Sequence, residues 1–302
     1  MIVVGGPTAS GKSGMAVGIA LAVGGEIISA DAMSIWRGFD IGAAKPTREE
    51  MRGVPHHMID IADPQNPFTV ADYRLAALKA MDEVRQRGNV PIVCGGTGLY
   101  IRALLRPMGF GQAAGDDAVR ASWENFAKEH GNAALHAQLA QRDVLSAARL
   151  HPNDVRRIVR ALEVFTLTGT SISAQADDSA LPPGTLFLAI QRDRAELIAR
   201  IDARVEAMMR MGLLEEVTRL RHAVADDTQA MQGIGYKQLA AHLRGEMPLH
   251  QAVELTKIAT RQYAKRQMTW LRGESGVTWQ LPGELDMVAT ARSWLAAQRR
   301  AT

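Results

Sequence analysis

The sequence predicts an α/β fold: a mostly parallel sheet flanked by helices, with a helical lobe inserted into that core. Three observations predict it. Short apolar strands alternate with helix-length periodic segments over residues 1–105. The first strand, Met1-Ile2-Val3-Val4, runs directly into Gly6-Pro7-Thr8-Ala9-Ser10-Gly11-Lys12-Ser13, the spacing of a phosphate-binding (P-loop) turn between strand and helix. Between about residues 113 and 180 the strand signal stops and a charged helical pattern replaces it.

In chain order, residues 1–4 are the first strand and residues 13–22 the helix after the loop. Glu26-Ile27-Ile28-Ser29 is a second strand, leading to Asp31. Residues 70–87 have helical periodicity, with Thr69 as N-cap and Gly88 at C′. Val90-Pro91-Ile92-Val93-Cys94 is a third strand, followed by Gly95-Gly96-Thr97-Gly98 and a helix over 99–105. Turn-forming residues at 111–115 and 177–184 flank the lobe. Leu186–Ile190 is a later strand, Asp193 caps a helix reaching Met211 with Gly212 at C′, and Pro248 starts a long helix to Trp270. The predicted division is 1–112, first part of the core; 113–180, the inserted lobe; and 181–302, the second, mainly helical part.

Composition narrows the classes. The 302 residues are 47% hydrophobic, enough for a sizeable core, and the net charge of +3 permits a nucleic-acid partner without requiring one. The single cysteine, Cys94, excludes an intramolecular disulfide and a multi-cysteine metal site, and its apolar run marks it as core. No apolar run is long enough to span a bilayer. The chain opens on a strand rather than a leader, so the expected location is the cytoplasm. No long apolar seam is visible, and a monomer is the default.

Several constellations carry chemistry. Glycines let the loop curl its N–H groups inward, Lys12 can reach terminal phosphate oxygens, and the Ser13 hydroxyl can ligate Mg²⁺. Asp31, at a strand end facing that loop, can ligate a metal through water, act as a general base or cap a turn. Where many nucleotide hydrolases carry a water-activating acid, the third strand ends in Gly95-Gly96-Thr97, donors suited to a diphosphate or a base edge, or a plain turn. Arg156, Arg157 and Arg160 on one helix can bind phosphates or pair with Glu163. Arg261-Gln262-Tyr263-Ala264-Lys265-Arg266 and onward to Arg272 is the densest basic stretch, a nucleic-acid surface or a solvated face. His56-His57 has no spaced acid or cysteine to complete a metal site and reads as structural. Arg194, Arg200 and Arg204 share a long helix, and spacing does not say which of them faces the phosphates.

Taken together these residues resemble the tRNA dimethylallyltransferases, also called tRNA isopentenyltransferases. The resemblance rests on the loop at 6–13, Asp31, Arg37-Gly38-Phe39-Asp40-Ile41-Gly42-Ala43-Ala44-Lys45-Pro46, Pro55-His56-His57-Met58-Ile59-Asp60 and Gly95-Gly96-Thr97-Gly98-Leu99-Tyr100. It continues through His151-Pro152-Asn153-Asp154, Arg160-Ala161-Leu162-Glu163, Gly233-Ile234-Gly235-Tyr236-Lys237 and residues 260–272. It implies transfer of a dimethylallyl group from dimethylallyl diphosphate to N6 of the adenosine 3′ of the anticodon in tRNA, with Mg²⁺. The neighbouring enzyme readings are prenylation of free adenine nucleotides and a P-loop small-molecule kinase. By resemblance, Gly6, Pro7, Thr8, Ala9, Ser10, Gly11, Lys12 and Ser13 hold the diphosphate, Asp31 accepts the N6 proton, and Thr97, Lys12 and Arg204 assist. The tRNA anticodon stem-loop is matched to Asp31, Ala32, Met33, Ser34, Thr97, Arg120, Arg156, Arg157, Arg160, Gln232, Gly233, Ile234, Gly235, Tyr236 and Lys237. Two departures stand out. Ser34 occupies the position of a family glutamine and is too short for its reach. The stretch Arg106-Pro107-Met108-Gly109-Phe110-Gly111-Gln112-Ala113 lacks the family's proline-rich link.

Overall fold

A computed structural model describes residues 1–106, 115–174, 180–281 and 287–301. The chain divides into two compact units, Met1–Leu105 with Ala180–Thr302, and Arg106–Ser179. The expected boundary at 112–113, the missing proline-rich link and most of the turn-rich flanks lie outside the described residues.

The first unit is built around a parallel sheet of β1 (Ile2–Gly5), β2 (Gly25–Ala30), β3 (His56–His57), β4 (Val90–Gly95), β5 (Leu186–Ile190) and β6 (Val277–Gln280), in the order β3-β2-β4-β1-β5-β6. Its helices are α1 (Lys12–Val23), α2 (Arg48–Met51), α3 (Val70–Gln86) and α4 (Gly98–Leu105). The second unit holds α5 (Asp117–His130), α6 (Asn132–Arg142), α7 (Val144–Arg149) and α8 (Val155–Thr168). Back in the first unit come α9 (Arg194–Arg210), α10 (Leu213–Arg221), α11 (Tyr236–Leu243), α12 (Leu249–Arg272) and α13 (Met287–Ala301).

Alternation along the strands builds two cores. Val3, Ile28, Val93 and Phe187 face α3 and α4 through Tyr73, Ala77, Met81, Tyr100 and Ile101. Ile2, Val4, Ile27, Ile92, Cys94 and Leu188 face α1 and α13 through Ala16, Val17, Ile19 and Ala291. With both faces covered, these strands read as continuous apolar runs, which is why they are visible in the sequence. The lobe has its own core of Leu135, Leu139, Ile158, Val159 and Leu162.

Register sets the site. Gly5 pairs with Gly95, and Ala30 also pairs with Gly95, so β1, β2 and β4 end at one level. The phosphate loop, Asp31 and the turn at Thr97 therefore leave the same edge of the sheet, where ligands bind in such folds. β3 and β6 are strands that the periodicity did not reveal. β3 has two residues, paired as Ile27↔His56 and Ile28↔His57, too few for any period. β6 is a four-residue edge strand, half exposed along its length. Caps are as expected: Thr69 makes a capping box with Asp72, and Asp193 accepts from the N–H groups of Ala195 and Glu196.

Candidate active site

The phosphate loop is pinned from outside. Ala9 and Gly11 take left-handed φ of 61° and 93°, the backbone turn from which anion-binding concavities are built. Gly11 precedes α1 with no side-chain cap, and no acid lies in the first turn. The helix end is left to an anion. Arg192 Nε donates to Ser10 O at 2.7 Å and Arg200 Nε to Ala9 O at 2.8 Å. Those bonds give Arg200 a role that spacing left open, and show Arg192 as a loop support that sequence reasoning missed. Gln267, from α12, accepts from Thr8 N at 2.8 Å and donates to Gly96 O at 2.9 Å. A Cβ on Gly96 would stand 2.1 Å from that amide nitrogen, so only glycine admits Gln267 there.

A cavity of about 340 Å³ opens beside the loop. Thr8, Lys12, Ser13, Asp31 and Arg204 line its polar part, and Ile201, Val205, Met208, Leu213 and Ile234 its apolar part. Lys12 is held below the ordinary lysine range by burial, with Arg204 adding to the effect. Burial likewise lowers Arg204, against the pull of Asp31. Two desolvated cations facing one carboxylate favour a polyanion, and the apolar wall favours a short hydrocarbon attached to it.

Asp31 Oδ1 accepts from Met33 N at 2.8 Å and Ser34 N at 3.2 Å. The turn-capping reading of Asp31 is therefore present in the geometry. Among the described residues no bond falls on Oδ2, which leaves that oxygen for a ligand proton. Thr97 Oγ1 accepts from Ala32 N at 3.0 Å, so this threonine supports the Asp31 turn beside the cavity. Tyr263 lines the cavity beside Thr97 and Gln267. Burial, with the Asp31 charge behind it, pushes its hydroxyl up to about 12, so it stays protonated.

Other expected residues fall as follows. Ala32, Met33, Ser34, Gln232, Gly233, Ile234 and Gly235 line the cavity. Tyr236 requires a correction as an RNA contact. Its side chain is fully buried, and its hydroxyl donates to Glu216 at 2.8 Å and accepts from Ala43 N at 3.1 Å. It holds the Gly42-Ala43 wall instead. Lys237 lines a separate depression with Gln232 and Arg244. In the lobe, Arg160 and Arg120 pair with the buried Glu163 at 2.7 and 3.0 Å, Arg157 approaches Asp154 at 3.4 Å, and Arg156 is exposed. His57 bonds Glu26 at 2.6 Å, while His56 bonds Val54 O and reaches the cavity wall, neutral because burial lowers it. Cys94 is buried and its thiol pushed up to about 11, an inert core group.

The basic stretch on α12 has two faces. Arg261 pairs with Asp202 of α9, and Lys265 and Arg266 are exposed, while Tyr263 and Gln267 turn inward. The signal for Gln267 is its place in a buried stripe with Ala264 and Leu271 at helical spacing. A polar residue in such a stripe must find partners.

For Mg²⁺, the donors present are the exposed Ser13 hydroxyl and the Asp31 carboxylate. Among the described residues no group of three or more His, Cys, Asp or Glu side chains could hold a metal ion. That set fits a cation that keeps waters and shares substrate phosphate oxygens. No helix among the described residues is long and apolar enough to cross a membrane.

The IPP transferase family model matches residues 34–274. The chain is 47% identical over 293 residues to a tRNA dimethylallyltransferase of Geobacter metallireducens, covering 95% of this chain and 94% of the relative. It is similar to the crystal structure of a tRNA isopentenylpyrophosphate transferase from Bacillus halodurans, with TM-score 0.74, 38% identity, and 99% and 96% of the two chains covered. A crystallographic structure of a eukaryotic dimethylallyltransferase acting on tRNA matches with TM-score 0.80 and 26% identity, over 100% of this chain and 79% of that one.

Proposed function

The chain belongs to the IPP transferase family and has tRNA dimethylallyltransferase activity, and from that premise we propose that it moves the dimethylallyl group of dimethylallyl diphosphate to N6 of the adenosine 3′ of the anticodon, releasing diphosphate. The observation that carries this finer reading is the cavity itself: the loop end of α1, Lys12 and Arg204 at one end, Asp31 beside them, and an apolar wall behind.

The loop N–H groups, Lys12 and Arg204 bind the diphosphate and stabilise the charge it gains as its bond to C1 breaks. N6 of adenine is a weak nucleophile because its lone pair is delocalised into the ring. Asp31 Oδ2 orients it and takes its proton as the N6–C1 bond forms; the C1–O electron pair leaves with the diphosphate. Ser13 and the diphosphate oxygens would hold Mg²⁺, which supplies further neutralisation of the leaving group. Gln232, Gly233 and Ile234 border the acceptor side. The target base must leave its stack to enter, at a cost of roughly a few kcal/mol. In the lobe, Arg156, Arg157, Arg160 and Arg120 serve the RNA backbone, the last two while also paired with Glu163.

The test mixes purified protein, Mg²⁺, dimethylallyl diphosphate and unmodified tRNA, then digests the RNA and weighs its nucleosides, with AMP and ATP as parallel acceptors. A dimethylallyl increment on a tRNA adenosine is expected. An increment on free nucleotides alone, or ATP turnover without prenyl transfer, refutes the reading.

A further inference from the structure

Gln267 is buried, and the transfer chemistry gives it no substrate to touch. Its two amide atoms join two different loops, Thr8 N at 2.8 Å and Gly96 O at 2.9 Å. One residue beyond Gly96, Thr97 donates its N–H to Ala30 O at 3.1 Å and accepts Ala32 N on its hydroxyl at 3.0 Å. Those two bonds flank Asp31. A continuous path of hydrogen bonds and one peptide link therefore runs from the phosphate loop to the carboxylate turn. It is needed because β1 and β2, which carry these two parts, are not neighbours: β4 lies between them. The Thr8 N–H is also withdrawn from any phosphate, so that part of the loop is shaped by protein before a ligand arrives.

We propose that Gln267 is a positioning residue for the transfer step, fixing the diphosphate-holding loop and the Asp31 turn in one frame so that C1 and the acceptor nitrogen meet at attack distance. The inference rests on the prenyl-transfer reading above. A misplacement of about 1 Å costs about 10²-fold in rate. Each substrate still binds through contacts of its own, so the loss falls on the chemical step rather than on KM.

Gln267→Leu removes both bonds, together with the hydrogen bond to Tyr263, in a similar volume. Gln267→Asn keeps the amide but falls one methylene short of bridging. Single-turnover product formation at saturating dimethylallyl diphosphate and tRNA is measured on folded protein, beside KM for each substrate and the melting transition. The rate is expected to fall about 10- to 100-fold in both variants, with each KM within about threefold of wild type. If the leucine variant does not fold, the asparagine variant decides. A single-turnover rate within twofold of wild type, or a loss that appears wholly as raised KM, overturns the role. Active wild type beside unchanged variants defeats the positioning role alone. Wild type that transfers no prenyl group defeats the prenyl-transfer reading, and the positioning role with it.

Discussion

The buried carboxylate of Glu216 accepts the Tyr236 hydroxyl at 2.8 Å while collecting the N–H groups of Asp40, Ile41 and Gly42. One side chain of α10 thus holds a wall of the cavity through its backbone, and Tyr236 completes it by bonding Ala43. Tyr236→Phe leaves Ala43 N–H unpaired and takes a donor from Glu216. We predict a stability loss of about 1–3 kcal/mol, read by denaturant titration, with the prenyl diphosphate KM raised. Stability equal to wild type would show that the wall does not depend on this hydroxyl.

Asp31 caps its turn through Oδ1, and the proposed reaction assigns the N6 proton to Oδ2; one substitution separates the two. Asp31→Asn can keep an oxygen facing the Met33 and Ser34 N–H groups while removing the base. Prenyl transfer should fall by about 10²–10⁴-fold with tRNA affinity within threefold of wild type, measured by single turnover and filter binding. Substantial residual transfer would remove the carboxylate from proton acceptance.

Lys12 sets a pH dependence for the phosphate site. Its pKa is lowered in the folded protein by burial, then by Arg204. The unfolded chain therefore binds the extra proton more readily. Charged Lys12 costs stability below its folded pKa, and that cost disappears as pH rises through the window toward the ordinary value of about 10.4. Bound diphosphate favours the charged form. The thermal stabilisation given by dimethylallyl diphosphate should therefore shrink as pH rises through that window, and Lys12→Ala should flatten the profile. An identical profile in the variant would assign the effect elsewhere.

The lobe arginines should divide into two kinds. Arg156→Ala and Arg157→Ala should each lower the salt dependence of tRNA binding by about 0.7–0.9 in the log–log slope, with the melting transition unchanged. Arg160→Ala takes a partner from Glu163, whose side chain is 0% exposed, and should also cost the lobe about 1–3 kcal/mol. Equal melting temperatures across all three would contradict this division.

How far the sequence foretells this structure follows from the physics of each part. β1, β2, β4 and β5 are covered on both faces and read as apolar runs; the two-residue β3 and the edge strand β6 leave no such trace. The phosphate loop is legible because local backbone demands fix its glycines. Gln267, Glu216 and Arg192 act through contacts 259, 174–176 and 182 residues away, and no local pattern encodes such pairings. The basic stretch on α12 shows the same limit, since its charges conceal the two inward residues that meet the site.

The phosphate loop is among the first residues of the chain, yet the side chains that hold it, Arg192, Arg200 and Gln267, all follow the lobe. β5, which closes the open side of β1, also follows it. A chain growing on the ribosome at about 5–20 residues per second therefore makes its loop well before the side chains that hold it. When the residues of the lobe are complete, the first unit still lacks two strands, β5 and β6. A chain stopped after the lobe carries the whole motif but none of the three side chains that hold it in place.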